Sequence, residues 1–129
     1  YNKSNYLKFT DDIDALREKT KSFLESLKAE DIKIVGFGAS ITCTTLIYHF
    51  EVGEYLDYLV DDNPAKQGLY SPGLHLPVYP SSRLSEDRPD YVLMLAWRFS
   101  EAILDRNKEL FKHGTKFILP VPHFQVVEN

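Results

Sequence analysis

Apolar side chains recur at spacings of three, four and seven between Asp11 and Ala29. Ile13, Leu16, Phe23, Leu24 and Leu27 form one stripe, and that period predicts an amphipathic helix. Thr10 is the expected N-cap, and Asp11, Asp12 and Asp14 suit the positive end of the helix dipole. The residues before it, Tyr1 to Phe9, read as a linker or leader. The period changes at Ile32. The run Ile32–Ser40, Ile-Lys-Ile-Val-Gly-Phe-Gly-Ala-Ser, predicts a short buried strand that enters a glycine turn at Gly36 and Gly38. A helix is expected from Ser40 to Phe50, with Gly53 as its stop.

The rest of the chain keeps alternating. Tyr55 to Val60 predicts a second strand, followed by Asp61-Asp62-Asn63-Pro64 and a loop punctuated by Gly68, Pro72 and Gly73. A short strand is expected around Leu76 to Tyr79 and a helical turn at Ser81 to Glu86. Tyr91 to Trp97 is a continuous apolar run, the kind buried on both faces of a parallel sheet. Glu101 to Phe111 predicts a helix closed by Gly114, and Lys116 to Val121 a last strand cut off by Pro120 and Pro122. Val126 and Val127 are assigned to the tail. Strands alternating with helices predict an α/β fold. We expect a Rossmann-like parallel sheet of about five strands, order 3-2-1-4-5, flanked by helices. Residues 1–30 would be linker and connector helix, and residues 31–129 the Rossmann-like domain.

Composition narrows the partners. A chain of 129 residues with 43% hydrophobic content is sized for one domain with a core. The formal net charge of −4 supplies no basic face, so neither nucleic acid nor an anionic membrane is expected as a partner. The longest apolar run, Val92 to Trp97, is too short to span a bilayer. The single cysteine, Cys43, cannot form an internal disulfide, which fits a cytoplasmic setting. Because the chain opens on Tyr1 rather than Met, it is expected to be a piece of a longer protein.

Ligands of open α/β sheets bind at the carboxyl ends of the strands. Four segments are expected to converge there: Gly36 to Ser40, Asp61 to Lys66, Trp97 with Arg98, and Pro120 to His123. Gly36, Gly38 and Ser40 would let backbone N–H groups approach a phosphate, or would only make a tight turn. The G-x-G-x-x-G fingerprint wants a small residue where Ile41 stands. Asp61, Asp62 and Asn63 sit where such domains hold a ribose hydroxyl, or cap a turn. Trp97 offers a stacking face or a core side chain, and Lys66 and Arg98 offer phosphate contacts or ordinary surface charge. The four histidines have no metal-ligand spacing, and no nucleophile–base pair is visible, so no catalytic residue is assigned.

Four stretches together resemble the C-terminal domain of S-adenosylmethionine-dependent sugar C-methyltransferases. They are Val35-Gly36-Phe37-Gly38-Ala39-Ser40, the block from Val60 to Tyr70, Tyr91 to Trp97, and Lys116 to Pro122. Asp61-Asp62-Asn63-Pro64-Ala65-Lys66-Gln67-Gly68 is the most specific of them. The block is also similar to the nucleotide-sugar-binding domains in front of bacterial sugar acyltransferases. The methyltransferase resemblance implies a larger protein whose other domains hold zinc and S-adenosylmethionine and methylate a carbon of a nucleotide-linked deoxyketosugar. It implies no cofactor for this chain. It implies two partners, the nucleotide-sugar and the preceding methyltransferase domain, and no catalysis by this piece alone. Two alternatives stand beside it: an NAD- or nucleotide-binding regulatory module, and a Rossmann-like scaffold with an empty site.

Overall fold

A computed structural model describes residues 3–63, 68, 76–120 and 124–128; the side chains of 3–13 and of 41 and 42 lie outside that description. Among these described residues, six strands form one sheet in the order β3-β2-β1-β4-β5-β6. They are β1 Ile34–Phe37, β2 Leu59–Val60, β3 Val78–Tyr79, β4 Tyr91–Met94, β5 Lys116–Leu119 and β6 Gln125–Val127. All neighbours run parallel except β5 and β6, which are antiparallel. The expected Rossmann-like order is therefore present, with one strand more than the sequence suggested. Val126 and Val127 are not a tail: Phe117 pairs with Val127 and Ile118 with Val126 at the sheet edge.

Alternation along each strand divides the core in two. Ile34, Leu59, Leu93 and Ile118 point to one face and meet Leu24 and Leu27 of α1 (Lys3–Ala29) and Ile47 and Phe50 of α2 (Ile41–Phe50). Val35, Phe37, Val60, Val92, Met94 and Phe117 point to the other. There they meet Leu84 of α3 (Arg83–Asp87), Ile103 of α4 (Ser100–Arg106) and Leu110 of α5 (Lys108–Lys112). Each of these fully buried aliphatic chains contributes roughly 1.5–3 kcal/mol of transfer free energy. Gly36 belongs to this packing. It faces α1 and α2 from within β1, and a Cβ there would lie 2.6 Å from Leu59 Cδ2 and 2.9 Å from Leu95 Cδ1.

Several element ends differ from the sequence expectation, each for a local reason. Thr10 is inside α1 rather than at its start. α2 is closed by Glu51 in the left-handed region (φ 57°, ψ 42°), whose N–H reaches Ile47 and Tyr48 carbonyls, while Gly53 opens a 3-10 turn through Tyr55. That turn shortens the second strand to Leu59–Val60. β4 stops at Met94 because the Leu95 and Ala96 N–H groups both turn to the Phe37 carbonyl, and a 3-10 turn then runs over Trp97–Phe99. The helix expected over 101–111 divides at Asn107, whose side-chain amide donates to the Ile103 carbonyl at 2.7 Å. No described helix is long and apolar enough to cross a membrane.

Candidate functional site

The carboxyl ends of β1, β2 and β4 open onto a cleft of about 250 Å³. Gly38, Ser40, Asp61, Asp62 and Asn63 line it, as their place after the strands anticipates. A second hollow of about 150 Å³ adjoins it, lined by Ser40, Ala96, Trp97, Arg98 and Phe99. Ser40, Cys43, Ala96 and Phe99 are common to both. Gly36 lies inside β1 and does not line either hollow. Lys66, with the rest of the loop between Pro64 and Gln67, lies outside the described residues, as do Val121 to His123.

The turn after β1 is held by groups of the chain itself. The Gly38 N–H donates to the Val60 carbonyl at 2.8 Å, and the Ala39 N–H donates to Asp61 Oδ2 at 2.8 Å. The other carboxylate oxygen of Asp61 accepts from the Asn63 N–H at 2.8 Å, the pattern of an Asx turn. Ser40 caps α2 by accepting from the Cys43 N–H at 3.3 Å. Its hydroxyl also donates to Cys43 Sγ at 3.2 Å. Burial pushes the Cys43 thiol above its ordinary value, and the bonds with Ser40 only partly offset it. A buried, protonated thiol is a poor nucleophile and a poor zinc ligand. Gly38, at φ 123°, leaves space that a Cβ would close, since that atom would lie 2.6 Å from Cys43 Sγ.

Asp62 faces the opposite wall. Its Oδ2 stands 3.3 Å from Arg106 Nη2, and its Oδ1 accepts a short hydrogen bond from Ser81. The Arg98 guanidinium lies over the Trp97 ring, 5.3 Å from its centroid, and Trp97 is half-buried against the α1–α2 side of the core. The indole thus serves the core on one side and the smaller hollow on the other. Phe99, by contrast, is 68% exposed at the junction of the two hollows.

Phe99 and Arg106 are the cleft residues that sequence reasoning missed. Phe99, Ile103 and Arg106 are spaced by four and then three, so one face of a helical segment brings all three to the cleft. That spacing is present in the sequence, but the helical segment begins before Glu101, with a 3-10 turn over Trp97–Phe99 leading into α4. A larger hollow of about 900 Å³ lies elsewhere, between α4, α5 and the end of β6, with Leu104, Phe111 and Val127 among its lining. It is an open trough away from the strand ends, whereas the smaller cleft lies where ligands of open α/β sheets bind. Among the described residues, no three His, Cys, Asp or Glu side chains gather as metal ligands would.

Comparison with known proteins adds two findings. Residues 1–122 match the family described as the C-methyltransferase C-terminal domain. The chain is also similar to the C-methyltransferase NovU of Streptomyces niveus, at 28% identity over 123 residues. That alignment takes in 95% of this chain and 29% of NovU, so the chain spans under a third of that relative's length.

Proposed function

This chain belongs to the C-methyltransferase C-terminal domain family, and we propose that it is the substrate-side domain of a sugar C-methyltransferase. In this reading it holds the nucleotide half of a nucleotide-linked deoxyketosugar while the preceding domain of the same protein performs the methylation. S-adenosylmethionine and zinc belong to the other domains. The observation that carries the reading is the pair of joined hollows at the carboxyl edge of the sheet. They bring an exposed aromatic ring (Phe99), two guanidinium groups (Arg98 and Arg106) and hydroxyl and amide groups (Ser40, Asn63) within one small space. A base needs the first, a diphosphate the second, and ribose or sugar hydroxyls the third.

The chemistry of the reaction sets what the domain must do. Removing the proton beside a keto group gives an enolate that attacks the sulfonium methyl, and both steps need the sugar carbon held in one place. Binding energy from the remote nucleotide is well suited to that positioning. The family description supports the methyltransferase half of this reading, and the cleft supports the nucleotide half.

The test is thermal unfolding of the chain with dTDP, UDP, NAD or S-adenosylmethionine. A ligand present at about 100 times its Kd stabilises by roughly 2.7 kcal/mol, on the order of several degrees for a domain of this size. A shift with a nucleoside diphosphate and none with S-adenosylmethionine is the expected result. A shift with NAD alone would replace the reading with a dinucleotide-binding module. No shift with any of the four would leave a scaffold that packs on the catalytic domain.

A further inference from the structure

The turn after β1 has the outline of a phosphate cradle, yet its anion place is taken. Asp61 Oδ2 accepts from the Ala39 N–H at 2.8 Å, and Ser40 Oγ accepts from the Cys43 N–H at 3.3 Å. A ligand phosphate brought to this turn would meet the Asp61 carboxylate and would find those two donors already engaged. Like charges at such range are repulsive in a partly desolvated cleft. Among the described residues, a cation stands on the other wall of the cleft. Arg106 reaches it from the end of α4, in an exposed ion pair with Asp62 at 3.3 Å, side chains 61% and 40% exposed. Such a pair is weak and easily exchanged. Asp62 keeps Ser81 as a second partner, so its carboxylate stays hydrogen-bonded when Arg106 leaves.

We propose that Arg106 grips the diphosphate of the bound nucleotide, and that Asp62 is its resident counter-ion, which the ligand displaces. The diphosphate then lies against α4, with the base reaching Phe99 at the junction of the hollows, and the turn after β1 faces the uncharged part of the ligand. A guanidinium can make two parallel bonds to a phosphate, which an exposed single contact to Asp62 does not match. Asp62 therefore sets the affinity downwards: it competes for Arg106 rather than contributing a contact. This inference rests on the nucleotide-binding reading above.

Calorimetric titration of the chain with dTDP, UDP and inorganic pyrophosphate separates the two. Wild-type protein binding none of the three would remove the nucleotide reading, and this inference with it. With wild-type binding measured, Arg106→Gln is expected to weaken the nucleoside diphosphate by about tenfold or more, the loss of a charge-assisted contact. Pyrophosphate is expected to compete with the nucleotide in the wild type and not in Arg106→Gln. Asp62→Asn is expected to tighten binding by roughly threefold to tenfold. Both side chains are exposed, so thermal unfolding of each free variant should stay within a few degrees of wild type. An unchanged affinity in Arg106→Gln would overturn the inference and leave the nucleotide reading standing. So would weaker binding in Asp62→Asn, which would make Asp62 a hydroxyl ligand instead.

Discussion

The Asp61 carboxylate closes the turn after β1 by accepting the Ala39 N–H at 2.8 Å, across a gap of 22 residues in sequence. Its second oxygen fixes Asn63, so one side chain ties the end of β2 to the end of β1. Asp61→Ala leaves both N–H groups without that acceptor. A donor stranded in a part-buried place costs about 1–3 kcal/mol, and we expect a loss of about 2 kcal/mol in urea unfolding of the chain. Asp61→Asn keeps one acceptor oxygen and should lose about half as much. A stability equal to wild type in Asp61→Ala would show that the turn does not depend on this bond.

Gly38 is fixed by its neighbours as well as by its backbone. At φ 123° any side chain is strained, and a Cβ would lie 2.6 Å from Cys43 Sγ and 3.1 Å from the Ala96 nitrogen. Gly38→Ala is expected to cost about 3 kcal/mol, combining a backbone penalty with overpacking. Adding Cys43→Ala should recover about 1 kcal/mol, because it removes the sulfur contact and leaves the backbone term. Two strictly additive substitutions in a double-mutant cycle would contradict the contact.

The sequence carried the layered part of this fold well. β1, β4 and β5 are apolar runs whose alternate residues serve two cores, and that burial on both faces is what a continuous hydrophobic run reports. β6 was illegible for the opposite reason: three residues after two prolines carry no period, and their pairing with Phe117 and Ile118 is a tertiary event. The apolar character of Trp97 continues the strand pattern, but the double use of the Phe37 carbonyl by Leu95 and Ala96 bends the chain before it. At the strand ends, position after a strand is enough to bring Gly38, Ser40, Asp61 and Asp62 to the lining of the cleft. It could not say that Asp61 turns inward to Ala39 while Asp62 turns outward to Arg106, since neighbours in a loop share no common face.

At the opposite edge of the sheet, Asp87 links three elements. It accepts the Tyr58 hydroxyl at 2.6 Å and the Lys33 ammonium at 3.0 Å. The Tyr58 bond first, and Lys33 after it, hold the Asp87 carboxyl below its usual range, while burial first, and Asp87 after it, push the Tyr58 phenol up. A lowered carboxyl contributes stability above its unfolded value, about 3.9, and loses it as pH falls through the folded one. A raised phenol contributes fully below about pH 10 and loses its contribution as pH climbs through the folded value. The stability gap between wild type and Asp87→Asn, about 1 kcal/mol at neutral pH, should therefore close below about pH 4. The gap for Tyr58→Phe should narrow above about pH 10. Urea unfolding across the pH range reads both, and a gap independent of pH would mean that these bonds are absent in solution.

Phe99 joins the fold to the proposed function because almost nothing in the fold needs it. Phe99 is 68% exposed and belongs to neither core, whereas Trp97, two residues earlier, is packed against the core on the α1–α2 side of the sheet. Exposed residues of this kind change stability by no more than about 0.5 kcal/mol on truncation. Stacking of a base on an aromatic side chain contributes about 1–3 kcal/mol. Phe99→Ala should therefore unfold like wild type and bind a nucleoside diphosphate about tenfold more weakly, with pyrophosphate affinity unchanged, since a phosphate makes no use of a ring face. Phe99→Tyr should restore the nucleotide affinity. If Phe99→Ala instead lost stability and kept its affinity, the ring would be a packing element and the base would have to lie elsewhere, with the indole of Trp97 as the remaining aromatic face of the smaller hollow.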